Sequence, residues 1–201
     1  MDFTLTDDQE LLRDTARNML AKECPPKVLR GHMDDPSTSD ALWEHLRSYT
    51  ALGGGATTDL MLFLFETGYV AAPGPFLATT ALFAPLLAAL DHDLLADVQH
   101  GNATGTLAIA GRDGVWQAND DTTKSFVLEA DRVDHIAIVT PGPSVRVVPR
   151  DAVAMRFVET LDKSRRVFEV DVAEAAGDAL PITSDALRRV LDIATVSIAA
   201  R

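Results

Sequence analysis

Near Thr104 the spacing of apolar residues changes from a helical period to a strand period, and near Pro181 it changes back. A helix buries residues three and four apart, whereas a half-buried strand buries every second one, so one chain carrying both patterns in blocks must segregate helices from sheet. Before the first switch, Thr6 and Gln9 form a capping-box pair, Asp7 and Asp8 sit where a helix dipole favours acid, and Leu12, Ala16, Met19 and Leu20 share one face. Pro25 and Pro26 are expected to stop this helix, and the polar stretch from Asp34 to Ser39 to lead as a loop into a helix from Asp40 to Tyr49. Gly53, Gly54 and Gly55 read as a flexible turn between helices, since no strand precedes them and no phosphate-loop ending follows. Asp59 to Val70 and Leu77 to Leu90 read as helices with almost no polar face, followed by a short helix from Asp93 to Gln99 that stops at Gly101.

Between the two switches, seven short runs rich in Val, Ile and Phe are separated by Gly, Pro, Asp or Asn. They are Leu107 to Ala110, Val115 to Gln117, Ser125 to Glu129, His135 to Thr140, Val145 to Val148, Arg156 to Glu159 and Arg166 to Val172. Short strands with no helix between them imply a small antiparallel barrel or sandwich. After Pro181, Thr183 or Ser184 caps a helix whose stripe is Leu187, Val190, Leu191, Ala194 and Ile198. The fold class expected is therefore α+β: a helical bundle over residues 1–102, a β domain over 103–181, and a new helix over 182–201.

Charge narrows the function. The formal net charge of -12 repels nucleic-acid backbones and anionic lipid, so neither is an expected partner. A single cysteine, Cys24, allows no internal disulfide; with no basic and apolar leader at Met1 and no apolar run long enough to span a bilayer, a cytoplasmic protein is expected. No His or Lys cluster flanks Cys24, which reads as an apolar thiol. The five histidines lack metal-ligand spacing, so no metal is expected. Ser125 and Ser164 lie outside any nucleophile-elbow context. Arg165 and Arg166 read either as a solvated pair at a strand edge or as a site for a phosphate group.

Four segments, in order, resemble the acyl-CoA dehydrogenase family. They are the opening Met1 to Asp14, Glu66-Thr67-Gly68-Tyr69-Val70 with Pro73-Gly74-Pro75-Phe76, Lys124 to Ala130 with Val133-Asp134, and Leu161-Asp162-Lys163-Ser164-Arg165. The resemblance implies an N-terminal helical domain, a middle β domain and the first helix of a third, helical domain. It also implies FAD, and oxidation of an acyl-CoA to the 2-enoyl thioester in lipid or steroid side-chain breakdown. The family's catalytic glutamate lies in the third domain, so no residue of this chain inherits that role and no catalytic residue is assigned. The family's aromatic and hydroxyl flavin neighbours correspond to Phe126, Val127 and Leu128, which are the expected cofactor-binding residues. Leu128 has no hydroxyl to donate, and Leu107 to Gly114 lacks the family's Glu-Pro and Gly-Ser-Asp, so FAD is expected of the family or complex more than of this chain alone. The expected partners are an acyl-CoA and a related dehydrogenase subunit, or a second copy of the chain. The alternative is a non-catalytic structural subunit that supports a flavin-bearing partner.

Overall fold

In the computed structural model, which describes residues 4–201, helices cover one face of a sheet whose other face is packed on a second sheet. Helix α1 spans Asp7–Glu23 and opens with the expected capping box between Thr6 and Gln9. Pro25 and Pro26 do end it, but Pro26 also opens α2, Pro26–Asp34, because proline at a first helical position gives up only an N–H that has no partner there. Helix α3 covers Asp40–Leu46 and tightens into a 3-10 segment, Arg47–Gly54. The glycine triplet is not a flexible turn at its first residue. Gly53 is buried, and a Cβ there would lie 2.7 Å from the Thr80 carbonyl oxygen, so the glycine permits close backbone packing.

Helix α4, Thr57–Tyr69, buries Leu60, Phe63 and Leu64 and leaves Phe65 and Tyr69 exposed. Phe63 stacks between Tyr49 and Phe76, with ring centroids 4.5 and 5.0 Å away. The next helix is irregular. Ala78–Phe83 is a π-helical stretch that runs into α5, Ala84–Ala89, and Pro85 explains the fault: it has no N–H for the regular ladder and needs room for its ring. Helix α6, Leu94–Gln99, closes the helical part.

The strands are β1 Gly105–Ala108, β2 Thr123–Leu128, β3 His135–Thr140, β4 Ser144–Pro149, β5 Ala154–Val158, β6 Val167–Asp171 and β7 Leu180–Pro181. They form a four-stranded sheet in the order β1-β3-β4-β7 and a three-stranded sheet in the order β2-β6-β5. The sandwich expectation holds, whereas a closed barrel does not form. Nor is the pairing wholly antiparallel. Strands β1 and β3 run parallel, because the chain leaves the first sheet, crosses to the second as β2, and returns to the first in its original direction. Val115 to Gln117 is not a strand: Asp113 takes the Val115 N–H at 3.0 Å, and the Gln117 N–H turns back to the Val115 carbonyl at 2.9 Å.

Burial follows from this layering. On β3, Ile136 and Ile138 face the second sheet while Ala137 and Val139 face the helices, so this strand has no polar side. On β6, Phe168 and Val170 face inward and Glu169 faces out to Arg156 at 2.7 Å, as the alternation of its residues requires. Helix α7, Ser184–Ala200, is capped by Thr183 and lays Leu187, Val190 and Ala194 against α4, α5 and the π-helical stretch. Its apolar stripe is thus covered within the chain. No helix among the described residues is long and apolar enough to cross a membrane.

Candidate functional site

The expected cofactor residues sit at a bulge. Between the pairs Lys124–Val170 and Val127–Phe168, strand β2 carries Ser125 and Phe126 opposite the single residue Glu169. Phe126 takes the left-handed conformation, with φ of 57°, which costs a residue with a side chain about 1–2 kcal/mol. The bulge turns the Phe126 ring outward, 51% exposed, to the same side as Leu128. Val127 points the opposite way and is fully buried between the sheets, so only its backbone can approach a ligand on the Phe126 side.

Phe126 and Leu128 line a cleft of about 270 Å³ with Trp116, Thr160, Arg165 and Ile198. Trp116 comes from the loop after β1, Thr160 and Arg165 from the β5–β6 connection, and Ile198 from the end of α7. These three elements are distant in sequence, so only the fold gathers them. Gly114, at φ of 75°, packs close to the Phe126 ring: a Cβ there would lie 3.1 Å from it. The walls are therefore aromatic and aliphatic, with few polar groups.

A flavin would need hydrogen-bond donors here, and the neighbouring loop has already used its own. The Arg112 N–H donates to Asp121 at 3.1 Å and the Gly114 N–H to the Gly111 carbonyl at 3.0 Å. The Ser125 N–H donates to the Ala110 carbonyl at 2.9 Å, and the Thr160 hydroxyl to the Asp162 carbonyl at 2.8 Å. The buried Lys124 ammonium donates to the Asn119 carbonyl and side-chain oxygens at 2.8 and 2.7 Å, which pins the same loop. Burial pushes its pKa below the ordinary lysine value against the pull of Asp121 and Asp120. None of the unpartnered buried polar atoms lies in this cleft. The residues present fit an aromatic ring against Phe126 and Trp116, and the donors left for a flavin's polar edge are the Arg165 guanidinium and the Trp116 indole N–H, with no hydroxyl among them.

The other sites read from the sequence fall elsewhere. Cys24 is buried, burial raises its pKa, and it stands apart from the cleft. Among the described residues no group of His, Cys, Asp and Glu could hold a metal ion. Arg165 and Arg166 do not act as a pair: Arg166 is largely buried, binds Asp131 at 2.7 Å and lies 4.7 Å over the Phe157 ring, while Arg165 turns to the cleft. Glu66, in the segment resembling the family, is buried and accepts both Arg17 Nη2 at 2.7 Å and Nε at 3.1 Å, so it fastens α4 to α1. Trp116, Thr160 and Ile198 were not legible as site residues, since nothing in their local spacing connects them to β2.

A helical layer, a two-sheet sandwich and a returning helix, with an aromatic cleft where β2 meets α7, define the acyl-CoA dehydrogenase fold over its N-terminal and middle regions. The chain resembles that family in sequence as well. It is 26% identical over 186 residues to acyl-CoA dehydrogenase IpdE2 of Mycobacterium tuberculosis (strain ATCC 25618 / H37Rv), a match covering 86% of this chain and 54% of the relative. Among solved structures it is similar to the ChsE4-ChsE5 complex from Mycobacterium tuberculosis, with a TM-score of 0.81 and 21% identity over 100% of this chain and 64% of that one. It is also similar to the steroid ACAD Tcur3481-Tcur3483 (G363A variant), with a TM-score of 0.82 and 24% identity over 98% of this chain and 63% of that one. No family model matches. The chain thus spans about half the length of the curated relative and under two thirds of these two structures.

Proposed function

We propose that the chain acts as an acyl-CoA dehydrogenase-type subunit in a cytoplasmic flavoprotein complex. The complex carries out α,β-dehydrogenation of an acyl-CoA thioester from lipid or steroid side-chain breakdown. A related dehydrogenase subunit supplies most of the polar contacts to FAD. The observation that carries this reading is the cleft beside Phe126, which keeps an aromatic wall in a strained backbone position yet has no free hydroxyl for a flavin. Two structural relatives are described as pairs, ChsE4-ChsE5 and Tcur3481-Tcur3483, which supports a hetero-oligomer over a second copy of this chain.

Co-expression with a full-length acyl-CoA dehydrogenase relative from the same genome tests the reading. A stable yellow complex that reduces an electron acceptor with an acyl-CoA is expected. A chain that binds no such relative, or that retains stoichiometric FAD by itself, overturns it. The second reading, a purely structural subunit, rests on the same lack of a hydroxyl. Phe126→Ala in the complex separates the two, because a cleft that takes part in catalysis loses rate and a structural one does not.

A further inference from the structure

Leu128, Arg165 and Val167 line the aromatic cleft, and all three adjoin one contact between Glu129 and Arg166. Leu128 pairs with Val167, so Glu129 and Arg166 form the next rung between β2 and β6. In an antiparallel sheet two such residues exchange both backbone hydrogen bonds. Here only one of the two forms, from the Glu129 N–H to the Arg166 carbonyl at 2.8 Å. The left-handed Glu129 turns its own carbonyl to the Arg132 N–H at 2.8 Å, and its carboxyl takes over, accepting the Arg166 N–H on Oε1 at 3.0 Å. A backbone carbonyl does not titrate, whereas a carboxyl does.

Glu129 is 4% exposed, and its Oε2 is buried with no hydrogen-bond partner among the described residues. Charge on that oxygen meets neither water nor a donor, which is costly in a dry interior. The nearby cations are engaged elsewhere: the Arg166 guanidinium is held by Asp131 at 2.7 Å and lies 4.7 Å over the Phe157 ring, and Arg201 donates to the Ala72 carbonyl. The charged groups that face Glu129 are Asp131 from the turn after β2, Arg166 from just before β6 and Arg201 after α7. Asp162, Arg165 and Cys24 stand around Arg201, and His32 of α2 faces Arg166, Arg132 and Asp131. Burial, with Asp131 adding to it, outweighs the Arg166 N–H, Arg201 and the Arg166 guanidinium, and lifts the Glu129 pKa to about 7. Burial instead lowers that of His32, so the two groups titrate in different ranges.

We propose that Glu129 is a proton-operated latch on the aromatic cleft. Neutral, its carboxyl stays buried and completes the last rung of β2 on β6. Ionised, it turns to water, releases the Arg166 N–H, and loosens Leu128, Arg165 and Val167 together. Since the folded pKa lies above the unfolded value, the closed latch is favoured in acid and lost as pH rises through about 7. A ring seated between Phe126 and Trp116 is held best by the closed latch, so its binding takes up a proton and weakens over the same range. That last consequence rests on the proposed role of the cleft; the latch itself does not.

Nuclear magnetic resonance titration of the chain from pH 5.5 to 8.5 tests the latch. It needs neither flavin nor partner, so its failure would leave the dehydrogenase reading standing. The Trp116 indole N–H and the Leu128 and Val167 methyls report on the cleft, and they are expected to shift together with a midpoint near pH 7. The Arg166 amide should lose about tenfold in protection from hydrogen exchange between pH 6 and pH 8, beyond the intrinsic rise in exchange rate. In Glu129→Gln, which keeps an acceptor for the Arg166 N–H but cannot ionise, both effects should vanish. Should that variant fail to fold, a common midpoint for the Arg166 amide and the cleft signals in the parent chain reads the same link. Cleft signals that stay fixed while the Arg166 amide titrates overturn the proposal. So does a transition that persists unchanged in Glu129→Gln, or the absence of any transition near pH 7.

Discussion

Glu129 accepts the Arg166 backbone N–H at 3.0 Å through Oε1, while its second carboxylate oxygen is buried without a partner. The residue follows Leu128 directly, takes the left-handed conformation at φ of 53°, and returns its own N–H to the Arg166 carbonyl at 2.8 Å. It therefore locks the end of β2 to the start of β6, and with them the wall of the cleft. Burial pushes its pKa up to about 7, with Asp131 adding to the rise and the Arg166 N–H, Arg201 and the Arg166 side chain opposing it.

That shift fixes the sign of a pH effect. A carboxyl whose folded pKa lies above its unfolded value contributes stability that is fully present below about pH 4.5 and lost as pH rises through about 7. Glu129→Gln keeps an acceptor for the Arg166 N–H and removes the titration. Urea denaturation should show the parent losing stability relative to this variant between pH 4.5 and 8, by up to ~3 kcal/mol. Parallel pH profiles for the two proteins would contradict the assignment.

Gly105 is the point where β1 meets the π-helical stretch. Its N–H and carbonyl both lie 3.3 Å from Thr79 Oγ1, and a Cβ on it would overlap the Phe83 ring. Gly105→Ala should cost about 1–3 kcal/mol by overpacking, since a buried ring held against His135 cannot swing aside. Adding Phe83→Leu should recover part of the loss, so the double variant falls short of the sum of the two single changes in denaturant melts. Strict additivity would show that the two residues do not collide.

Phe126 holds its strained conformation while half exposed, and core packing does not explain that choice. Phe126→Gly relieves the strain and removes an aromatic group from solvent, so the isolated chain should be unchanged or more stable by ~1 kcal/mol in thermal or urea melts. A clear loss of stability would mean that the ring has a structural role.

The aromatic cleft offers no hydroxyl to a flavin's polar edge, because Leu128 lacks one and Thr160 spends its own. The chain purified alone should be colourless, with no flavin absorbance after dialysis against FAD. Leu128→Thr supplies a single hydroxyl and should not restore stoichiometric binding, since one neutral hydrogen bond contributes only about 0.5–1.5 kcal/mol. Stoichiometric flavin in either protein would show that other groups hold the cofactor.

Some of this structure is written in single segments of sequence. The Thr6–Gln9 capping box, the Thr183 cap, the inward face of Phe168 and Val170, and the α+β segregation follow from local hydrogen bonding and from the periods of helix and strand. The resemblance to acyl-CoA dehydrogenases was legible for the same reason, because its motifs are short and contiguous. What the segments could not contain was the meeting of distant ones. The parallel pairing of β1 with β3 depends on β2 crossing to the other sheet, and the burial of Leu187, Val190 and Ala194 depends on α7 returning to α4 and α5. The candidate cleft has the same origin: Trp116, Thr160 and Ile198 join Phe126 only after the sandwich has closed. Local pattern records what each segment needs to bury, whereas its partner is selected by the packing of the whole chain, and there the tertiary structure alone decided.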